Sequence, residues 1–408
     1  MGIKGLFKYI EKNVGHSGIG IIPVSKLSGC RVAIDTSFVI NEIVRAMRSS
    51  GNEMTNNEGQ LTNHLHGLFY RILKFLQFGI IPIFIFDGAP PNIKSNTLES
   101  RSKVREDAIK KLEELSDSED EDRNKLLSKA THIGKQEYSD ARILLDLMGI
   151  PWINAPGEAD VVCAWMATKK FKNGKRMAKG VCSNDSDMLV LGTQYLFKDM
   201  LKFLKNNTVK VITLDKCLKK LNLSMDQFVD FCILLGSDYN NNLKGIGPKK
   251  SYQNILEYDT LENVLENEGY DIENDIKENV KNMLDAKNYF KTAFSELEKT
   301  GFSVDKQNLK IKKFKYDELI DFLCVRHQFN TKRVKTALDR MTEYYNNMNI
   351  IDENTTKYEM ISNVSRQEFE LSLSENIIML SDSESDKSEE IITKKNSKKH
   401  KQIRTIIS

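Results

Sequence analysis

Five short apolar runs, separated by longer stretches of helical periodicity, organise roughly the first 240 residues of the chain. The runs are RVAI (31–34), IIPIFIF (80–86), PWINAPG (151–157), GVCSN (180–184) and FCILLGS (231–237). Short runs rich in Val, Ile and Phe, with helices between them, are typical of parallel strands joined by crossover helices. The pattern predicts an α/β fold with a mostly parallel central sheet and helices on both faces.

The stretches between the runs have helical periodicity. GLFKYIEKNV (5–14) predicts an amphipathic helix, and residues 63–78 place apolar side chains three and four positions apart. Residues 94–135 are highly charged and are interrupted by the acidic run SDSEDED (116–122). We expect two exposed helices joined by an acidic loop, because charge runs are usually solvated.

An acidic residue follows each of the five runs, and two of these residues have an acidic neighbour two positions later. The full set is Asp35, Asp87, Glu158, Asp160, Asp185, Asp187 and Asp238. A single Asp in such a place is as often a turn former or a helix N-cap. Since ligands of open α/β sheets bind beyond the carboxyl ends of the strands, the repeated acid-x-acid spacing favours one shared site.

Carboxylates packed together repel one another and raise each other's pKa unless cations lie between them. No HExxH pair accompanies them, and ligand sets made only of oxygen favour Mg²⁺ or Mn²⁺ over zinc. The acidic set therefore predicts a metal-dependent phosphodiester hydrolase.

The charged helices emerge from the loop that carries Asp87, so we expect them to form a helical cap over the acidic site. Lys94 and Arg101 are seven positions apart, about two helical turns, which puts them on one helix face. Cations there could hold a scissile phosphate and offset its charge during reaction. The alternative is an ordinary solvated hairpin.

The segment LGSDYNNNLKGIGPKKS (235–251) contains a second motif. Gly245 and Gly247 form a turn before Pro248 at a helix start, which exposes backbone N–H groups to an anion, and Lys249 and Lys250 add positive charge. This is the helix-hairpin-helix pattern for contacting a duplex phosphate backbone without reading bases. A plain Gly/Pro turn is the alternative, but the short loop to Asp238 connects this contact to the acidic site.

Composition and charge limit the binding partners and the cellular compartment that we expect for the protein. The net charge of +3 is too small to indicate nucleic-acid binding without local clustering. None of the six cysteines forms a CxxC pair, as expected for reduced thiols, and no run is long and apolar enough to span a membrane. We expect a soluble intracellular protein with no membrane partner.

Residues 349–408 contain the acidic run SDSESDKSEE and the basic run KKNSKKHK. A segment of this composition cannot bury enough apolar surface to fold, so we expect a disordered tail. Its basic run is a candidate nuclear-import or nucleic-acid patch, although such tails are commonly only solvated chain.

Taken in order, these motifs resemble those of the flap endonucleases, within the XPG-like group of structure-specific 5′ nucleases. The matching segments are MGIKGLFKYI (1–10), VAIDTS (32–37), HLHGLFYRI (64–72), IFDGAPPNIKS (85–95), LMGIPWINAPGEAD (147–160), SNDSDMLVLG (183–192), LLGSDYNNNLKGIGPKK (234–250) and YDELIDFLCVRHQFNTKRV (316–334). The resemblance implies a PIN-like nuclease domain over 1–348, with an N-terminal region at about 1–110, a cap at 91–135, an internal region at 136–260 and the hairpin at 236–256.

The resemblance also implies roles for individual residues. The seven acids would hold two Mg²⁺ ions, for which Mn²⁺ can substitute, and Lys94 and Arg101 would be catalytic cations. The implied DNA-binding residues are Gly2, Arg48, Arg71, Gly245, Gly247, Lys249 and Lys250. A K⁺ ion at the hairpin is a further candidate.

The chain departs from the family pattern at several positions. Asn41 stands where a tyrosine usually stacks on a DNA base, and Asp160 replaces the usual Glu with a shorter arm. Ala89 and Gly157 also differ from the common residues. The terminal QIRTIIS lacks the aromatic pair of a sliding-clamp motif, so clamp binding is in doubt.

The expected activity is cleavage of DNA that carries a 5′ flap or junction, by a monomer acting in the nucleus or another site of DNA replication, a viral replication compartment included. Three alternatives stay open. They are a related 5′ exonuclease or gap or junction endonuclease, a nuclease directed at RNA, and a DNA-binding scaffold that has lost its chemistry.

Overall fold

The computed structural model describes residues 2–49, 54–89, 94–114, 121–131, 133–200, 206–272 and 277–348, including a few helical residues by their backbone alone. A seven-stranded sheet lies at its centre, in the order β1-β7-β6-β5-β2-β3-β4. The strands are β1 (Ile19–Pro23), β2 (Arg31–Asp35), β3 (Ile81–Phe86), β4 (Trp152–Asn154), β5 (Gly180–Cys182), β6 (Tyr195–Lys198) and β7 (Thr208–Thr213).

Helices make up most of the remaining structure. They are α1 (Leu6–Asn13), α2 (Thr36–Ser49), α3 (Asn63–Gln77), α4 (Ser95–Glu114), α5 (Glu121–Ala130), α6 (Lys135–Leu147), α7 (Ala159–Thr168), α8 (Asp187–Val190), α9 (Leu214–Leu221), α10 (Met225–Leu235), α11 (Pro248–Tyr258), α12 (Leu261–Asn267), α13 (Glu278–Lys299), α14 (Tyr316–Ile320) and α15 (Thr331–Asn347). A π-helical segment, Asp321–Arg326, continues α14.

Five strands, in the spatial order β4, β3, β2, β5 and β6, are parallel to one another. At one side of this group, β7 pairs antiparallel with β6, and β1 pairs antiparallel with β7. The strand β2 pairs with β3 on one side and β5 on the other, so its carboxyl end is central. The prediction of a mostly parallel sheet is confirmed. The strands β1, β6 and β7 belong to no predicted run.

Two hydrophobic cores lie on opposite faces of the sheet. Val32 and Ile34 of β2 pack in one core with α2, α3, α6 and α15, while Ala33 lies in the other with α1, α7, α10 and α13. Successive side chains of a strand point to opposite faces, so a strand covered on both faces is apolar throughout. This confirms the helices on both faces and explains why the central runs show no alternation.

The prediction of a strand for FCILLGS is wrong, because this run is the end of α10. Ser224 and Gln227 form a capping box that begins the helix, and Gly236 ends it with φ 88. A short apolar run cannot distinguish a buried helix from a strand by periodicity. Asp238 therefore follows a helix and not a strand.

The predicted charged hairpin is confirmed as the two helices α4 and α5, while most of the acidic loop between them lies outside the described residues. The tail at 349–408 and the terminal QIRTIIS also lie outside them. The domain boundary at 348 stays a prediction. Within the described ranges, no helix has the length and apolar character needed to cross a membrane.

Candidate active site

Asp35 and Asp87 lie at the carboxyl ends of the neighbouring strands β2 and β3. Asp35 accepts a hydrogen bond from the backbone N–H of Phe38 at 3.2 Å. Asp87 accepts from the Ser37 hydroxyl at 2.5 Å and from the Ala159 N–H at 2.8 Å. The last bond joins the end of β3 to the start of α7, which brings a third element to this edge.

Glu158 and Asp160 enter the site from the start of α7. Glu158 is the N-cap residue, with extended backbone, and Asp160 lies in the first helical turn. The first turn lets both acids approach one point, whereas residues two apart in a helix interior diverge. The buried residues of α7 pack against β2, β3 and β5, which fixes the start of the helix beside the ends of these strands.

Asp185 lies in the loop between β5 and α8, Asp187 is the first residue of α8, and they are 7% and 4% exposed. The loop folds on itself, because the Ser183 hydroxyl accepts from the Asp185 N–H at 2.9 Å and Asp185 Oδ1 accepts from the Asp187 N–H at 3.0 Å. Asp238, in the turn after α10, is close enough to raise the pKa of both acids by its charge.

Electrostatics shows that these acids share one site. Burial, followed by repulsion from Asp87, raises the pKa of Asp35 to about 8. Burial and repulsion from Asp35 and Asp185 raise the pKa of Asp160 well above its ordinary value. Burial and repulsion from Asp185 likewise raise the pKa of Asp187. The structure thus brings together all seven acids that were predicted from sequence.

The site has the donors of a divalent cation site, although the side chains do not form a closed ligand shell as they stand. Within the described residues, no three His, Cys, Asp or Glu side chains have the geometry of such a shell. Protein groups occupy several of the oxygens, but Asp187 Oδ1 is buried with no hydrogen-bond partner. A buried carboxylate oxygen without a donor, among other carboxylates, fits a cation that binds oxygen.

The N-terminal segment packs directly against this loop. The Ile3 N–H donates to Ser186 Oγ at 2.8 Å, and the Lys4 N–H donates to the Gly236 carbonyl at 2.9 Å. Gly2 has φ +79, and a Cβ added there would lie 2.1 Å from Asp185 Oδ1. Only glycine fits this position, directly beside the acidic loop, while a role of Gly2 in DNA binding stays a prediction.

Lys94 reaches the acids from the base of the cap. Its ammonium forms an ion pair with Glu158 Oε1 and lies 5.5 Å from the ring centroid of Tyr239. Burial is the largest single influence on the pKa of Lys94 and lowers it, but the charge and hydrogen bond of Glu158, together with the charges of Asp160 and Asp187, outweigh burial and hold that pKa above its ordinary value. Arg101 lies on α4, but its side chain falls outside the described residues, so the shared face with Lys94 stays a prediction.

Two tyrosines that the sequence did not single out also contact Glu158. The hydroxyl of Tyr239 donates to Glu158 Oε2 at 3.0 Å, and the hydroxyl of Tyr289 donates to the same oxygen. Tyr239 directly follows Asp238, so its position was a usable signal. Tyr289 lies on α13, far along the chain, and no local pattern identifies it.

The predicted DNA-contacting arginines make contacts within the protein. Arg48 donates to Thr131 Oγ1 at 3.0 Å, which connects α2 to the end of the cap helix α5. The guanidinium nitrogen Nη1 of Arg71 on α3 lies 3.6 Å from Oε2 of Glu42 on α2. Asn41 donates to the Ser37 carbonyl at 2.8 Å within α2. Roles in DNA binding stay predictions for both arginines.

The glycine turn before α11 has the predicted form. Gly245 has φ +80, and Gly247 is the N-cap of α11, which begins at Pro248. Lys249 and Lys250 are both exposed in the first turn, and Lys250 pairs with Glu268 at 2.8 Å. A Cβ at either glycine would meet nothing within 4 Å, so the turn is open to a ligand.

Sequence comparison finds two family models in the chain. Residues 1–108 match the XPG N-terminal domain, and residues 149–238 match the XPG I-region. The chain is 34% identical over 349 residues to flap endonuclease 1 of Nematostella vectensis, a match that covers 84% of this chain and 88% of the relative. It is also 34% identical to flap endonuclease 1 of Theileria parva, of which it covers 66%.

Solved structures share the fold. Flap endonuclease-1 from Methanococcus jannaschii superposes with a TM-score of 0.58 at 27% identity, over 81% of this chain and 96% of that one. The catalytic core of Rad2 in complex with DNA substrate gives 0.57 at 24% identity, over 83% and 99%. The Holliday junction-resolving enzyme GEN1 in complex with product DNA and Mg²⁺ gives 0.52 at 18% identity, over 82% and 77%.

Proposed function

This chain belongs to the flap endonuclease family of structure-specific 5′ nucleases, and we propose that it uses two Mg²⁺ ions to hydrolyse DNA phosphodiesters at the junction of a 5′ single-stranded flap with duplex. The observation that carries the proposal is the convergence of seven acids from five separate segments at the carboxyl end of the sheet. Burial and mutual repulsion raise the pKa of several of them. Such a group is stable at neutral pH as a set of carboxylates only when cations neutralise it.

Each group in the site has a distinct part in the proposal. The oxygens of Asp35, Asp87, Asp160, Asp185, Asp187 and Asp238, with Glu158, are the candidate ligands. Bound Mg²⁺ would lower the pKa of water and stabilise the leaving 3′ oxygen. Mn²⁺ prefers the same oxygen donors and should substitute.

The cations of the cap act on the substrate. Lys94 pairs with Glu158 when no DNA is bound, and a scissile phosphate would offer the ammonium a second anion at the same place. Lys94, with Arg101 from the same cap, would then offset the charge that develops on the phosphate. The products would be a 5′ phosphate and a 3′ hydroxyl.

Duplex DNA would bind through the glycine turn and the first turn of α11. The N–H groups of a helix start and the two adjacent lysines suit a phosphate backbone, which agrees with sequence-independent binding. The backbone of the turn at Gly245 and Gly247 is also the candidate K⁺ site. Arg48, Arg71 and Gly2 would contact DNA or shape the site beside it.

A panel of substrates tests this function directly. We expect Mg²⁺-dependent cleavage of a labelled flap, abolished by chelator, at a higher rate than cleavage of nicked, gapped or four-way-junction DNA of the same sequence. No product from pure protein would favour the inactive scaffold, and faster cleavage of a single-stranded RNA flap would favour the RNA-directed alternative.

A related gap exonuclease or junction endonuclease is the second candidate. Asn41 favours it, because its side chain donates back to α2 and offers no aromatic ring for a DNA base. A preference for nicked or four-way DNA in the same panel would support this candidate. We further propose that the protein acts as a monomer, without a sliding clamp, at the site of DNA replication.

A further inference from the structure

The carboxylate of Glu158 is held by three donors from three parts of the chain. Lys94 pairs with Oε1, while Tyr239 and Tyr289 both donate to Oε2. Tyr289 is the distant member, 131 positions from Glu158 and on α13. It lies outside both segments that match the family models.

The helix α13 is anchored so that Tyr289 has little freedom. Lys287 pairs with the buried Asp230 of α10 at 2.9 Å, and Glu298 accepts from the Trp165 indole of α7 at 3.0 Å. The Tyr289 ring packs 4.9 Å from the ring of Tyr239, centroid to centroid. The contacts of α13 before and after Tyr289 thus fix the position of its phenol without any contribution from Glu158.

We propose that Tyr289 is a positioning residue, which limits the orientations open to Glu158 at the candidate divalent cation site. The inference rests on the proposed function, since it assigns a purpose to Glu158 as a ligand. A glutamate has three rotatable side-chain bonds, and a hydrogen bond to Oε2 removes much of that freedom before an ion arrives. Through this hydrogen bond, α13 supports the candidate metal ligand Glu158, while Tyr289 itself does not touch the substrate.

The hydroxyl of Tyr289 is suited to this part, because it donates directly to Glu158 Oε2 and a phenol ordinarily keeps its proton up to about pH 10. Hydrogen bonds to charged acceptors are about twice as strong as neutral ones. Since Tyr239 donates to the same oxygen, loss of Tyr289 alone should weaken the arrangement and not abolish it.

The variant Tyr289→Phe removes the hydroxyl and keeps the ring packing. We expect it to weaken Mn²⁺ binding in the absence of DNA by about tenfold, which corresponds to about 1.4 kcal/mol. Calorimetry or the electron paramagnetic resonance of free Mn²⁺ measures this affinity without any cleavage. In the cleavage assay the Mg²⁺ concentration for half-maximal rate should rise by a similar factor, while kcat at saturating Mg²⁺ changes by less than about threefold.

The matched control is Tyr252→Phe. Tyr252 donates to the Leu221 carbonyl at 2.7 Å and packs on Phe231, so it loses a comparable hydrogen bond in the same region without contacting Glu158. The control should leave Mn²⁺ affinity unchanged. Tyr239→Phe, which removes the other donor to Oε2, should weaken Mn²⁺ binding as Tyr289→Phe does.

The melting temperature of each ion-free variant separates positioning from folding. Mn²⁺ affinity of Tyr289→Phe within about twofold of the unmodified protein overturns the inference. An equal loss in Tyr252→Phe also overturns it, because the effect would then be general. If the unmodified protein cleaves flaps while Tyr289→Phe binds Mn²⁺ normally, only the inference about Tyr289 fails. If the unmodified protein binds no divalent ion, both the inference and the proposed function fail.

Discussion

Gly2→Ala tests how closely the N-terminal segment defines the candidate metal site. The added Cβ would lie 2.1 Å from Asp185 Oδ1 and 2.7 Å from Asp187 Oδ1. Ordinary contact begins at 3.4 Å, so the Asp185 oxygen would have to move by about 1.3 Å. Alternatively the segment would leave the loop and lose its hydrogen bonds to Ser186 and Gly236.

Either response displaces a candidate ligand or its support. A misplacement of about 1 Å in an active site can cost about 100-fold in rate. We expect a loss of that order in kcat/KM on a flap substrate, together with weaker Mn²⁺ binding. Flap affinity measured without divalent ions should change much less, because the hairpin lies elsewhere.

Gly5→Ala is the matched control for backbone strain. Gly5 has φ +72, close to that of Gly2, but a Cβ there meets nothing within 4 Å. Both variants carry a left-handed backbone cost of about 1–2 kcal/mol for a residue with a side chain. Equal activities of the two variants, or a Gly2→Ala protein as active as the unmodified one, would refute the steric reasoning.

Three further predictions concern charge. Asp187→Ala should abolish cleavage and spare flap binding in a mobility-shift assay, since Asp187 Oδ1 is buried without a partner; undiminished turnover would contradict its assignment. The pKa of Asp35 is about 8 in the folded protein and about 3.8 in the unfolded chain, so the folded protein binds more protons between these pH values. The ion-free protein should therefore lose stability as pH rises from 4 to 8, by up to about 1.4 kcal/mol per pH unit. Divalent binding at pH 7 should then release protons, which calorimetry in buffers of different ionisation enthalpy detects; equal ion affinity at pH 6 and pH 8 would refute this. Lys249→Ala should reduce the slope of log DNA affinity against log salt concentration by about one. Lys250→Ala should reduce it by less, because Lys250 pairs with Glu268. A Lys249→Ala slope equal to that of the unmodified protein would count against the hairpin contact.

Local sequence was sufficient for much of the fold. The β-branched and aromatic run before Asp87 predicts β3, and Gly247 before Pro248 predicts the start of α11, because each depends on conformations that neighbouring residues favour. The same reasoning failed at FCILLGS, where burial on all sides hides the helical period. It also missed β6, β7 and β1, of which β1 and β7 pair with each other across most of the nuclease sequence.

Six of the seven acids were identifiable from sequence because a parallel sheet brings the carboxyl ends of its strands to one edge, wherever they lie in the chain. Asp238 was identified from a run that is the end of α10, so its place beside the other acids depends on helix packing. What holds those acids was decided only by the tertiary structure. Tyr289 reaches Glu158 because α13 packs against α7 and α10, and Gly2 is required because the N-terminal segment lies on the Asp185 loop. Such contacts depend on how separate elements pack, and the residues near Tyr289 in sequence carry no trace of a partner 131 positions away.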